Sequence, residues 1–250
     1  MNTDQVSKPA NATIPEKAML LAAGLGTRMK PLTEKRPKPL IEVQGKALID
    51  HALDALVRVG VKEAVVNVHY HAEQIIEHLA NRQDIRITIS DERAELLDSG
   101  GGIVKALPHL GSKPFYLMNA DSFWVEGFQP NLVRMAQGWD SEKMDILLLL
   151  AGMANAVGFN SKGDFDMDPD GRLSRRNEGH VVPFGYAGAA IINPQVFADA
   201  PDGRFSLNRQ FDTAIEAERL FGIRLEGLWL HVGTPEAIPQ AESAIAASAA

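Results

Sequence analysis

Apolar positions in the first half of the chain follow two alternating rhythms. Residues 18–23, AMLLAA, form a short run without polar interruption that ends at Gly24, the pattern of a strand buried on both faces. Residues 47–60, ALIDHALDALVRVG, place apolar side chains at 48, 49, 52, 53, 56 and 57 and stop at Gly60. That spacing predicts an amphipathic helix with a glycine end. EAVVNV at 63–68 reads as a second strand, and Ile75, Ile76 and Leu79 mark a helix over 72–81. IRITIS at 85–90 alternates as a strand does, 100–107 opens a short helix, and PFYLMNAD at 114–121 is a strand ending in polar residues. This rhythm predicts an α/β fold: a single domain with a mostly parallel, Rossmann-like sheet and helices on both faces.

The second half is less regular. MDILLLL at 144–150 and GYAGAAII at 185–192 read as strands, 207–220 as a helix, IRLEGLWL at 223–230 as one late strand, and Pro235 as the start of a closing helix. Residues 154–182, rich in Asn, Gly and Asp, predict hairpins or loops, a small substrate-side lobe inserted at about 150–185. Residues 1–16 are polar and predict a flexible tail ahead of a domain spanning 17–250.

Composition narrows the function classes. Cysteine is absent, which excludes disulfides and thiolate metal sites. No apolar run approaches the ~20 residues of a membrane helix, and the polar N-terminus has no apolar core of a secretory signal. The expected location is therefore the cytoplasm, with no membrane partner. A net charge of −7 argues against nucleic acid as a partner. Yet Arg28, Lys30, Lys35, Arg36 and Lys38 face only Glu34 within residues 28–38. A concentrated basic loop in an acidic protein points to a small anionic ligand.

Ligands of open parallel sheets bind beyond the carboxyl ends of the strands. Three polar clusters fall at such ends, 24–38, 91–102 and 119–121, and should converge on one crevice. Gly24 and Gly26 free backbone amides to face phosphate oxygens, and Arg28 adds a planar donor fork. Lys38 is held between Pro37 and Pro39, a stiffened point cation. Neither common nucleotide motif is present: Met29 stands where G-x-G-x-x-G needs its last glycine, and no P-loop occurs.

The full stretch LAAGLGTRMKPLTEKRPKPL, 21–40, resembles the signature of the sugar-nucleotide pyrophosphorylases, L-A-A-G-x-G-T-R-x-x-P-L-T-x-x-x-P-K-P-L, at every specified residue. The resemblance continues through NAD at 119–121 to HVGTPE at 231–236. It is strongest to the compact N-acetylmuramate 1-phosphate uridylyltransferases, with the mannose 1-phosphate guanylyltransferases as the alternative. It implies in-line attack of a sugar 1-phosphate oxygen on the α-phosphorus of an NTP, UTP in the first reading, with loss of pyrophosphate. Such a reaction runs on positioning and charge neutralisation.

The same resemblance assigns residues. Arg28 and Lys38 become catalytic phosphate contacts, and Ala22, Ala23, Gly24, Gly26 and Thr27 line the nucleotide. Asp98, Gly100 and Gly101 face the nucleoside. Lys162 meets the sugar phosphate, while Glu178 and the backbone at Gly188 meet sugar hydroxyls. Asp121 becomes the ligand of Mg²⁺, with Mn²⁺ as the other candidate ion. No glutamine occurs in 91–102, where the family often reads the base, so the base stays open. His231 stands where the family pattern W-x-D-x-G-T carries a second metal-binding aspartate. Three readings are open: a ligand for a softer ion, a hydrogen bond to phosphate with Asp121 and substrate holding Mg²⁺, or a degraded metal site. The second is preferred, because Mg²⁺ on nucleotide phosphates does not need two carboxylates. The degraded site belongs to a different class of function, a non-catalytic nucleotide-sugar-binding subunit. Monomer and homodimer are both compatible with the sequence.

Overall fold

The computed structural model describes residues 13–159 and 161–248. In chain order the elements are β1 (Lys17–Leu21), β2 (Glu42–Val43), β3 (Lys46–Ala47), α1 (Leu48–Arg58), β4 (Glu63–Val68), α2 (Ala72–Leu79), β5 (Arg86–Asp91), α3 (Asp98–Leu110) and β6 (Phe115–Asn119). They continue with β7 (Ser122–Glu126), α4 (Asn131–Gly138), β8 (Ile146–Gly152), β9 (Phe165–Met167), β10 (Leu173–Arg175), β11 (Phe184–Ile192), α5 (Asn208–Glu216), β12 (Leu220–Arg224), β13 (Gly227–His231) and α6 (Ala237–Ser248).

The central sheet has nine strands in the order β10-β9-β11-β6-β1-β4-β5, with β8 on β11 and β12 on β8. The half β6-β1-β4-β5 is parallel, as the β-α-β rhythm predicts. β11 enters antiparallel beside β6, so the sheet is mixed beyond that point. Successive residues of β1 face opposite cores. Ala18 and Leu20 pack with Leu53, Ile75 and Leu132 of α1, α2 and α4, whereas Met19 packs with Ile103 and Phe211 of α3 and α5. That two-sided burial is why AMLLAA carries no polar alternation. The β9–β10 hairpin is the folded part of the lobe, and residues 153–183 connect β8 to β11 around it.

Three expectations change. The helix expected over 207–220 ends at Glu216; Glu218 then takes a left-handed φ of 57° and the apolar Leu220 and Phe221 become β12. The single strand expected at 223–230 is two strands in different sheets. Gly227, at φ 101°, makes the break: a Cβ there would lie 2.0 Å from the Val125 carbonyl oxygen. Of the expected tail, residues 1–12 lie outside the described residues, but Ile14 and Pro15 pack against the domain. Pro15 is buried and the Glu16 carbonyl accepts the Lys62 N–H at 2.8 Å.

Residues 122–143, which carry no clear periodicity, form β7 and α4. β7 pairs with β13 as a separate antiparallel ribbon, His231 opposite Ser122. A third, small core joins this ribbon to the basic loop through Met29, Phe123, Leu230, Val232 and Ala241. The ribbon is fastened to the main sheet by a buried relay: Trp229 Nε1 donates to Ser122 Oγ at 2.6 Å, and Ser122 Oγ donates to the Ala187 carbonyl at 2.8 Å. Replacing Ser122 with Ala strands an indole N–H and a carbonyl in the interior. The expected loss is about 1–3 kcal/mol, read as a lower urea midpoint at unchanged slope.

Candidate active site

The basic loop begins where β1 ends. Gly26 has a φ of 62°, and its carbonyl accepts both the Met29 N–H at 2.9 Å and the Thr33 hydroxyl at 2.9 Å, closing a tight turn around residues 27–29. A Cβ on Gly26 would sit 2.9 Å from Thr33 Cγ2 and 3.1 Å from Lys38 Cβ, so glycine lets the two arms of the loop touch. Gly24 differs: a Cβ there would meet no protein atom within 4 Å, so packing does not explain it. A cavity of about 420 Å³ opens over this loop. Ala22, Ala23, Gly24, Gly26, Thr27, Arg28, Lys38, Asp98 and Asp121 all line it, so the three expected clusters do converge.

Lys38 reaches the centre of this cavity and pairs directly with Asp121, Nζ to Oδ2 at 2.7 Å. Both side chains are largely buried, at 10% and 28% exposure. Burial pushes the Asp121 carboxyl up, but the Lys38 ammonium outweighs it, and the carboxyl stays below the usual carboxylate range. Asp121 is therefore an anion at neutral pH, the state a hard cation requires.

His231, at the end of β13, is half-buried beside this pair. Its ring packs edge-on against Phe159, with centroids 5.3 Å apart. Gly233 leaves room for it, since a Cβ there would lie 2.7 Å from His231 Nε2 and 3.7 Å from an Arg28 guanidinium nitrogen. Burial lowers the His231 pKa; Asp121 opposes this, while Lys38 and Arg28 reinforce it. The imidazole is thus neutral at pH 7, with one donor and one acceptor nitrogen. Among the described residues no three His, Asp or Glu side chains gather as a metal-binding group.

Other expected residues sit elsewhere. Gly100 and Gly101 are buried and do not line the cavity. Both donate their N–H to the Phe205 carbonyl, at 2.9 and 3.2 Å, and a Cβ on either would strike residues 203–205. Their small size admits that passing segment, so the expected nucleobase contact is not what their position provides. Lys162 and Glu178 are exposed on the lobe, outside the cavity lining. Gly188, at φ 78°, lies beneath the site against Ser122 and Asn119. Asp98 keeps its place with a left-handed φ of 61°, and its carboxylate accepts the Ser99 N–H at 2.6 Å.

The cavity also has walls to which the sequence reading gave no individual role: Asn67, Asn119 and Arg204. Asn67 is a polar residue inside the apolar strand EAVVNV and Asn119 lies in NAD, so both left a trace. Arg204 arrives from the loop before α5 and left none.

Comparison with known proteins finds relatives over most of the chain. Residues 17–159 match the family described as Nucleotidyl transferase. The chain is 46% identical over 236 residues to the N-acetylmuramate alpha-1-phosphate uridylyltransferase of Caulobacter vibrioides, covering 93% of this chain and 98% of that protein. It is 28% identical over 229 residues to the mannose-1-phosphate guanylyltransferase catalytic subunit beta of Dictyostelium discoideum, covering 88% of this chain and 62% of that one. The fold resembles a UDP-glucose pyrophosphorylase crystallised with UDP-glucose, with a TM-score of 0.76 at 16% identity over 93% of this chain and 99% of that one.

The charge arrangement makes one direct prediction. In an NMR titration the His231 ring has a pKa below 6.5, and Lys38→Met moves it upward, because a nearby ammonium disfavours the imidazolium.

Proposed function

The chain belongs to the nucleotidyl transferase family and is a sugar-1-phosphate nucleotidyltransferase; we propose that it joins UTP to N-acetylmuramate 1-phosphate, releasing pyrophosphate. The observation that carries this is the meeting of Arg28, Lys38 and Asp121 around one cavity, in a chain resembling the Caulobacter uridylyltransferase over nearly its whole length. The sugar phosphate oxygen forms a bond to the α-phosphorus, and the bond from that phosphorus to the bridging oxygen of the β-phosphate breaks. Two polyanions must approach each other, and the site answers with cations and backbone amides.

In this reading the amides around Gly24 and Gly26 and the Thr27 hydroxyl cradle the triphosphate, in the space a side chain at Gly24 would otherwise occupy. Arg28 takes the β- and γ-phosphates through its planar fork, stabilising the departing pyrophosphate. Asp98 and Ser99 face the nucleoside. The family works with a divalent ion, and we assign it as Mg²⁺ held by the anionic Asp121. A single protein carboxylate suits that ion, because Mg²⁺ keeps waters and phosphate oxygens as its other ligands. When bound it neutralises charge on the phosphates. Lys38 holds Asp121 through Oδ2, which leaves Oδ1 for such an ion, and the ammonium would stand beside the incoming phosphates. His231, neutral, donates a hydrogen bond to a phosphate oxygen and remains off the metal. A nucleotide substrate supports a cytoplasmic location; among the described residues no helix is long and apolar enough to cross a membrane.

We assign the sugar side to Asn119 and Arg204, since Lys162 and Glu178 lie away from the cavity. N-acetylmuramate carries a carboxylate that mannose lacks, and Arg204 is a cation on the cavity wall able to meet it. This favours the N-acetylmuramate reading over mannose 1-phosphate with GTP.

Pyrophosphate release, measured for each NTP against a panel of sugar 1-phosphates, should be fastest with UTP and N-acetylmuramate 1-phosphate. No release with any pair would sink the enzymatic assignment in favour of a non-catalytic binding subunit. Arg204→Ala should raise KM for N-acetylmuramate 1-phosphate about 10–100-fold, the range for one charge-assisted contact, with KM for UTP little changed. His231→Asp should cut turnover with Mg²⁺ about tenfold or more by setting an anion against phosphate. Unchanged turnover and metal preference would remove His231 from the phosphate site.

A further inference from the structure

A hydrogen-bonded pair that runs from the cavity wall into the interior joins the loops on either side of the cavity. Asn67, on β4, is 3% exposed, and Glu92, just after β5, is 0% exposed. The Ala22 N–H donates to Asn67 Oδ1 at 2.8 Å, Asn67 Nδ2 donates to Glu92 Oε1 at 2.7 Å, and the Leu97 N–H donates to Glu92 Oε2 at 3.1 Å. Three donors meet three acceptors. The order is forced, because both ends are backbone N–H groups: asparagine must turn its oxygen toward Ala22 and its amide toward Glu92. Gly102 of α3 is shaped to the pair, since a Cβ there would lie 2.6 Å from Glu92 Oε1 and 2.9 Å from Asn67 Nδ2.

Stability alone does not account for such a relay. Among the described residues Glu92 has no lysine or arginine partner, and buried polar groups are often replaceable by apolar ones at no net loss. The distinctive property of the relay is what it connects. Ala22 begins the loop of Gly24, Gly26 and Arg28, while Leu97 precedes Asp98, whose left-handed backbone turns into the same cavity. Leu97 also accepts the Phe205 N–H through its carbonyl at 3.2 Å, which ties in the segment bearing Arg204.

We propose that Asn67 and Glu92 are positioning residues for the nucleotide, fixing the separation between the phosphate loop and the nucleoside turn. This rests on the nucleotidyltransferase reading above. Neither residue touches the reacting atoms. They act by holding Ala22 and Leu97 in a fixed relation to each other, so that base, ribose and α-phosphate reach their places together.

The forced polarity supplies the test. Asn67→Asp sets two carboxyl groups against each other, and Glu92→Gln sets two amide donors against each other or against the Leu97 N–H. The double variant N67D/E92Q restores every bond with the central one reversed. The carboxylate introduced on β4 accepts from the Ala22 N–H and from the side-chain amide introduced after β5, and the carbonyl of that amide accepts from the Leu97 N–H. Each single variant should raise KM and Kd for UTP about tenfold or more and KM for the sugar 1-phosphate by less, and the double variant should return near the parent. UTP binding is read by isothermal titration and folding by Tm. Unchanged UTP affinity in the singles, or an equal rise in both KM values that tracks Tm, would reduce the pair to a structural role. A double variant that fails to fold or to recover affinity would overturn the proposal outright. A parent protein that binds none of the NTPs would instead sink the nucleotidyltransferase reading, and the positioning role with it.

Discussion

The carboxyl edge of the sheet is organised around one ion pair, Lys38 with Asp121. Placing an ammonium and a carboxylate in an interior costs several kcal/mol each in lost hydration, and mutual attraction seldom leaves a large surplus. Such a pair adds little to stability, and either charge alone would be expensive. Both partners are therefore locked to each other from 83 residues apart. Lys38 is aimed by flanking prolines and by a short turn whose last N–H, that of Ile41, returns to the Lys38 carbonyl at 3.0 Å. Asp121 lies two residues past β6, in which residues 115–118 are buried. The loop's small core, centred on Met29, and the sheet's large cores thus meet at one contact between charges.

The ribbon of β7 and β13 brings the remaining element. It pairs with neither edge of the main sheet, so side chains and the backbone at Val157 hold it in place. Trp229 supplies most of that docking: its indole is 2% exposed, packs 4.8 Å from Phe159 and bonds Ser122. Burying a side chain of that size stabilises by roughly 2–3 kcal/mol, and here it also fixes the lateral position of His231, two residues on. Residues 157–159 cover the same ribbon from the lobe side, with the Val157 N–H bonded to the Trp229 carbonyl and the His231 N–H to the Val157 carbonyl. His231 is neutral because it is enclosed on this side and faces cations on the other.

Much of this was legible in the sequence where local pattern and long-range structure agree. The parallel half of the sheet, with its unbroken apolar runs and amphipathic helices, follows from periodicity alone. The turn of residues 24–39 was legible because glycine and proline spacing is itself backbone geometry. The failures share a cause. Leu220 and Phe221 extend the apolar spacing of α5, but a left-handed Glu218 diverts them into a strand; the deciding contact, with β8, is remote in sequence. Gly227 splits one apolar run between two sheets because the Val125 carbonyl occupies the space of its missing side chain. Gly100 and Gly101 advertised close approach correctly, yet what approaches them is the chain itself at 203–205. Arg204 and the ion pair between Lys38 and Asp121 left no local pattern, since each depends on segments that meet only after folding.

The ribbon has a further consequence, in the order of assembly. β7 leaves the ribosome more than 100 residues before β13, which is the penultimate element of the chain. Until β13 exists, the nascent chain holds the basic loop and Asp121 but has an unpaired strand in place of the ribbon. Contacts of such sequence separation form late and slowly. Synthesis therefore passes through a stage with a nearly complete sheet, an unfinished site and the free edge of β7. The neighbouring Phe128, fully exposed in the finished protein, lies beside that edge. An unpaired strand edge of that kind is open to mispairing until β13 arrives.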